Sequence, residues 1–104
     1  MRYGTILKIP STIQTIGDHA FAVTKVASVD LPEGLSGIGA GAFRFTKLTE
    51  LHLPNSLEKI GSSAFYYTPL TSLTLGDHIE SVGTEAFKDC YDLISVVIKN
   101  GGRS

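Results

Sequence analysis

Three histidines and a single cysteine hold most of the reactive chemistry this chain offers. A general base needs its partner within hydrogen-bond reach, and a metal needs several ligands converging on one point. His19, His52 and His78 show no spacing that would bring them together. His19 and His78 read as solvated turn residues. His52 sits in the triplet Leu51-His52-Leu53, where alternation sends it to an exposed face with Glu50 beside it. There it reads as a binding-surface residue or plain filler rather than a base. Cys90 is a nucleophile in principle, yet Thr24, Thr46 and Thr68 precede it at steps of 22 residues, which marks a structural slot. One cysteine makes neither an internal disulfide nor a zinc site from thiolates alone. The stretch Gly37-Ile38-Gly39-Ala40-Gly41 has the look of a phosphate-binding loop but lacks the GxGxxG spacing and the long helix that must follow it. Gly37 and Gly41 read as surface substitutions. No catalytic residue, cofactor site or metal site is expected.

Composition narrows the partners. With 42% hydrophobic and 18% charged residues, the 104-residue chain has apolar material for one small packed domain. Its formal net charge is -1, and its basic residues are scattered (Lys8, Lys25, Arg44, Lys47, Lys59, Lys88, Lys99), so nucleic acid is not an expected partner. No run of 18 apolar residues occurs, so membrane insertion by a helix is not expected either. The start, Met1-Arg2-Tyr3-Gly4, has no signal-peptide character. The tail, residues 100–104, falls outside the pattern that precedes it and has the character of a cloning remnant.

What must position any site is a repeat. Pro10, Pro32 and Pro54 lie 22 residues apart, with Gly76 in the next slot. The same step relates Ile16, Ile38, Ile60 and Val82, then Gly17, Gly39, Gly61 and Gly83, then the Ala-Phe pairs ending in Phe21, Phe43, Phe65 and Phe87. After Phe87 one residue is inserted, which puts a leucine at Leu93 where strict spacing places it at 92. The repeats run roughly 6–27, 28–49, 50–71 and 72–94, followed by a final strand at 95–99, all within a single domain, 1–104.

Each repeat has a physical reading. Triplets such as Val29-Asp30-Leu31 and Leu73-Thr74-Leu75 alternate with period 2, the mark of a short strand with one buried face. Proline ends the strand because it cannot donate to a ladder. A second apolar pair follows, then a glycine, taken as the residue where the chain turns with positive φ. The Ala-Phe pair opens a short turn, expected to be helical or 3-10. A single repeat cannot offset the entropy of ordering its own backbone, so the repeats must stack on their neighbours. One strand per coil then gives a parallel sheet on one face, with turns and short strands on the other.

The pattern Leu48-x-x-Leu51-x-Leu53-Pro54-x-x-Leu57-x-x-Ile60-Gly61-x-x-Ala64-Phe65 resembles the Treponema pallidum-type, or BspA-like, leucine-rich repeat. The resemblance covers about residues 6–99, and its Leu-Pro and Ile-Gly-x-x-Ala-Phe elements separate this type from other leucine-rich repeats. Two departures stand out: threonine replaces the usual cysteine in three repeats, and the repeats are one residue shorter than is common, except the last. The resemblance implies a right-handed solenoid on cell-surface or secreted proteins, working in adhesion or partner binding rather than as an enzyme.

Three surfaces follow from the pattern. The exposed strand column should display Ser28, Asp30, Glu50, His52, Ser72, Thr74, Ser95 and Val97, with Lys8 and Lys99 at its ends. The turn edge carries Val23, Arg44, Phe45, Tyr66 and Tyr67, readable as an interface or as half-buried packing on the flank. The ends show no distinct capping sequence beyond Tyr3 and Ile6, so the end faces could pair into homo-oligomers. The leading expectation is a module that binds a protein or glycan of unspecified identity. The alternatives are a structural, self-assembling solenoid segment and an engineered repeat scaffold.

Overall fold

The computed structural model describes residues 6–98; Tyr3, Lys99 and the tail at 100–104 lie outside them. The chain coils as a parallel β-solenoid. On one side run β1 (Ile6–Lys8), β3 (Ser28–Asp30), β5 (Glu50–His52), β7 (Ser72–Leu75) and β9 (Ser95–Ile98). On an adjoining side run the two-residue strands β2 (Thr15–Ile16), β4 (Gly37–Ile38), β6 (Lys59–Ile60) and β8 (Ser81–Val82). All pairings are parallel. Leu7 faces Val29 and Leu51 faces Leu73, each a step of 22 residues, whereas Leu73 faces Val96, a step of 23. The inserted residue is therefore taken up before β9.

The long strands do not make one unbroken sheet. β1 pairs with β3, and β5 pairs with β7 and then β9, but β3 and β5 lie side by side without forming a ladder. The junction holds because other bonds cross it. Gly61 N–H donates to Ile38 at 2.8 Å, Glu58 N–H to Ser36 at 3.0 Å, and Phe43 N–H to Ala64 at 2.8 Å.

The side carrying the Ala-Phe pairs departs from the expected helical or 3-10 turns: no helix forms there among the described residues. Its hydrogen bonds alternate instead. Ala42 and Arg44 donate within their own coil, to Gly39 at 3.2 Å and Gly41 at 3.3 Å. Gly41, Phe43 and Phe45 donate to the next coil, at 2.9, 2.8 and 3.0 Å. A helix would direct every N–H along its own axis. Here two positions per coil sit in the left-handed region and break that run. One is occupied by His19, Gly41, Ser63 and Glu85, the other by Val23, Phe45, Tyr67 and Asp89, with φ between 55° and 62°.

This corrects the reading of the glycines. Gly39, Gly61 and Gly83 are not the positive-φ residues. They are small because coils meet there: a Cβ on Gly61 would stand 2.5 Å from the Ala40 nitrogen and 2.7 Å from the Gly39 carbonyl carbon. Gly17 has nothing within 4 Å among the described residues, so the demand arises where one coil presses on another. Gly41, taken as a surface substitution, is buried at φ 62°, a conformation that costs other residues about 1 kcal/mol or more.

The core is a stack of repeated slots. Leu35 and Leu57, Leu48 and Leu70, and Ala42 and Ala64 are fully buried. Phe21, Phe43, Phe65 and Phe87 form a ladder with centroids 5.3, 5.4 and 5.3 Å apart, and the last two stacks are within 4° of parallel. Below each ring a hydroxyl satisfies the backbone. Thr24, Thr46 and Thr68 donate to the carbonyls of Phe21, Phe43 and Phe65 at 2.8, 2.9 and 3.1 Å. Cys90 fills the same slot, its thiol 3.2 Å from the Phe65 carbonyl and 3.3 Å from Thr68 Oγ1. The thiol takes the slot but not the same bond: each threonine donates to a carbonyl of its own coil, whereas Cys90 reaches back to the preceding one.

Candidate binding surface

Along the strand column exposure is mixed. Asp30, Glu50, His52, Ser95 and Val97 are exposed, and Ser28, Ser72 and Thr74 are half-buried. Lys8 and Asp30 approach to 4.0 Å with both side chains mostly in solvent, an ion pair of small energetic weight. Where the ladder lapses between β3 and β5, an open cleft of about 410 Å³ is lined by Asp30, Glu33, His52, Pro54 and Asn55. The histidines stay apart: His19 is in a turn, His52 on β5, and His78 beside Asp77 at 3.2 Å.

The turn edge is more elaborate than its sequence suggested. Arg44, Phe45 and Tyr66 are half-buried and pack on the flank. The Arg44 guanidinium lies 5.2 Å from the Phe45 centroid, and Tyr66 meets Phe45 edge-on at 5.4 Å. Tyr67 also meets Phe45 at 5.4 Å, but 52% of it is exposed. A further tyrosine joins them. Tyr91 lies 6.4 Å from Tyr67 at 85°, and 77% of it is exposed. These rings enclose a cleft of about 400 Å³, with Lys47, Pro69, Asp89 and Asp92 on its other walls.

Sequence reasoning missed Tyr91, Asp89 and Asp92. Their signal was the inserted residue. Tyr67 N–H still bonds to Lys88 at 2.9 Å and Cys90 still lies against Thr68, so the repeat keeps its register that far. Ile94 N–H bonds to Thr71 at 3.1 Å, one residue out of step. The extra length is thus confined to 91–93, where the chain bulges beside Tyr67. Asp89 occupies the left-handed slot that holds Phe45 and Tyr67 in earlier coils. Its carboxylate accepts the Tyr91 hydroxyl at 2.9 Å. That hydrogen bond, with the negative charge behind it, holds the Tyr91 phenol above its ordinary pKa.

A family description, BspA type leucine rich repeat region (6 copies), matches residues 4–103. The chain belongs to the BspA-type leucine-rich repeat family. Among solved structures, a leucine-rich repeat protein from Eubacterium ventriosum superposes with a TM-score of 0.81 at 23% identity. The likeness covers 93% of this chain but 26% of that protein, so the chain spans about a quarter of its length and shares its fold. No curated protein matches the chain. Leucine-rich-repeat families of this kind generally supply binding modules rather than enzymes.

A last surface is the face that closes the described coils. All four residues of β9 are exposed, Ile98 at 66%, and Ile94 just before the strand is 87% exposed.

Proposed function

We propose that this chain is a non-enzymatic interaction module, displayed at a cell surface or secreted, that holds a protein or glycan ligand on its aromatic flank. The observation that carries the reading is the exposure of Tyr67 and Tyr91 around a cleft that the repeat itself does not need. Tyrosine pairs a large apolar ring with a polar tip, and it is enriched where binding energy concentrates. The core closes without them: the Phe ladder, the leucine slots and the threonine hydroxyls are complete. The strand column offers a more polar face, and its cleft between β3 and β5 has no exposed aromatic ring among its walls.

The test is an array of surface-exposed peptides and glycans probed with the labelled chain and two variants. One carries Tyr67→Ser and Tyr91→Ser on the flank. The other carries Asp30→Ser, Glu50→Ser and His52→Ser on the column. The expected result is that signals seen with the natural chain survive the column variant and fall at least about tenfold with the flank variant. Signals lost with the column variant and kept with the flank variant contradict the reading.

A further inference from the structure

The flank cleft has a charge as well as a shape. Asp89, Asp92 and Lys47 all line it, so the carboxylates outnumber the ammonium. The rings of Phe45, Tyr67 and Tyr91 line it with them. An aromatic face attracts a cation through its quadrupole, and a nearby carboxylate adds to the attraction. The protein already uses this chemistry once, in the Arg44 guanidinium held 5.2 Å from the Phe45 centroid. The Tyr91 ring is arranged to do it again: its hydroxyl donates to Asp89 at 2.9 Å, which enriches the ring in electron density.

We propose that the cleft formed by Tyr67, Tyr91, Asp89 and Asp92 receives a cationic side chain, arginine or lysine, of a protein partner. This rests on the flank being the binding surface and names what that surface selects. A planar guanidinium can lie against the Tyr91 ring while its N–H groups reach a carboxylate, which a neutral sugar cannot match in charge. The repeat explains why the site occurs once. Phe45 and Tyr67 recur in the left-handed slot, but only the last coil puts an aspartate there and adds a residue beside it.

The experiment follows the backbone amides of the isotope-labelled chain by NMR during titration with acetyl-arginine amide, acetyl-citrulline amide or a methyl glucoside. The expected result is saturable shifts at Tyr67, Asp89, Tyr91 and Asp92 with the arginine probe. The citrulline probe, alike in shape but uncharged, should bind about tenfold more weakly. Asp92→Asn, an exposed change that leaves the fold intact, should weaken the arginine probe and leave the citrulline probe unaffected. Equal binding of arginine and citrulline overturns the inference. Saturation of the same residues by the glucoside alone also overturns it, while leaving the flank as a glycan surface. No shift with any probe overturns the inference and the flank reading together.

Discussion

Replacing Phe65 with alanine should remove about 3–5 kcal/mol of folding stability, a large share of the 5–15 kcal/mol that holds a domain of this size. Phe65 is fully buried and stacks on both sides, against Phe43 at 5.4 Å and Phe87 at 5.3 Å. The hole cannot collapse easily, because neighbouring coils are fixed by hydrogen bonds from Phe43 to Ala64 and from Phe65 to Ala86, each 2.8 Å. Phe21 provides the internal control. It is only half-buried and, among the described residues, meets a single ring, Phe43 at 5.3 Å. Urea unfolding should place Phe65→Ala well below Phe21→Ala in midpoint, with similar slopes. Equal losses would mean that neither full burial nor stacking on both sides sets the cost of losing a ring.

The second large effect comes from one methyl group. Gly61→Ala puts a carbon 2.5 Å from the Ala40 nitrogen and 2.8 Å from its Cα. Both contacts are backbone, so no side chain can swing away. The two coils must part, which strains the 2.8 Å bond from Gly61 N–H to Ile38 and the β4–β6 pairing beside it. Overpacking of this kind costs about 1–3 kcal/mol and more where the backbone is rigid. Gly17→Ala is the matched control, because a methyl there meets nothing within 4 Å. It should be neutral or gain up to about 1 kcal/mol from the stiffer unfolded chain. If thermal melts show the two variants equally harmed, close approach of the coils is not why these glycines recur.

The architecture was legible because the core repeats its chemistry. Leucine, phenylalanine and proline fall in the same slots, and side-chain type reports burial directly. The turn conformation was not legible. Its left-handed positions hold His19, Gly41, Ser63 and Glu85, or Val23, Phe45, Tyr67 and Asp89, which share no chemical character. Bonds between coils impose that conformation on whatever residue stands there, so no local signal announces it. The glycines misled for the opposite reason: their smallness was visible, but the backbone they make room for belongs to another coil.

The candidate site divides in the same way. Phe45 and Tyr67 could be singled out as aromatics outside the core slots. The inserted residue after Phe87 could be counted, but a count does not say that Tyr91 and Asp92 bulge beside Tyr67 or that Asp89 takes the Tyr91 proton donor. Repetition builds the frame, and the point where repetition fails builds the cleft.

Deleting Asp92 tests that claim most directly. The deletion restores the 22-residue step, placing Leu93 where Leu48 and Leu70 stand in earlier coils. The chain should keep a cooperative thermal transition close to that of the natural protein, because no core residue is lost. Its affinity for the arginine probe should fall at least about tenfold, since Tyr91 and the second carboxylate leave the cleft. A deletion variant that folds equally well and binds the probe unchanged would contradict the account.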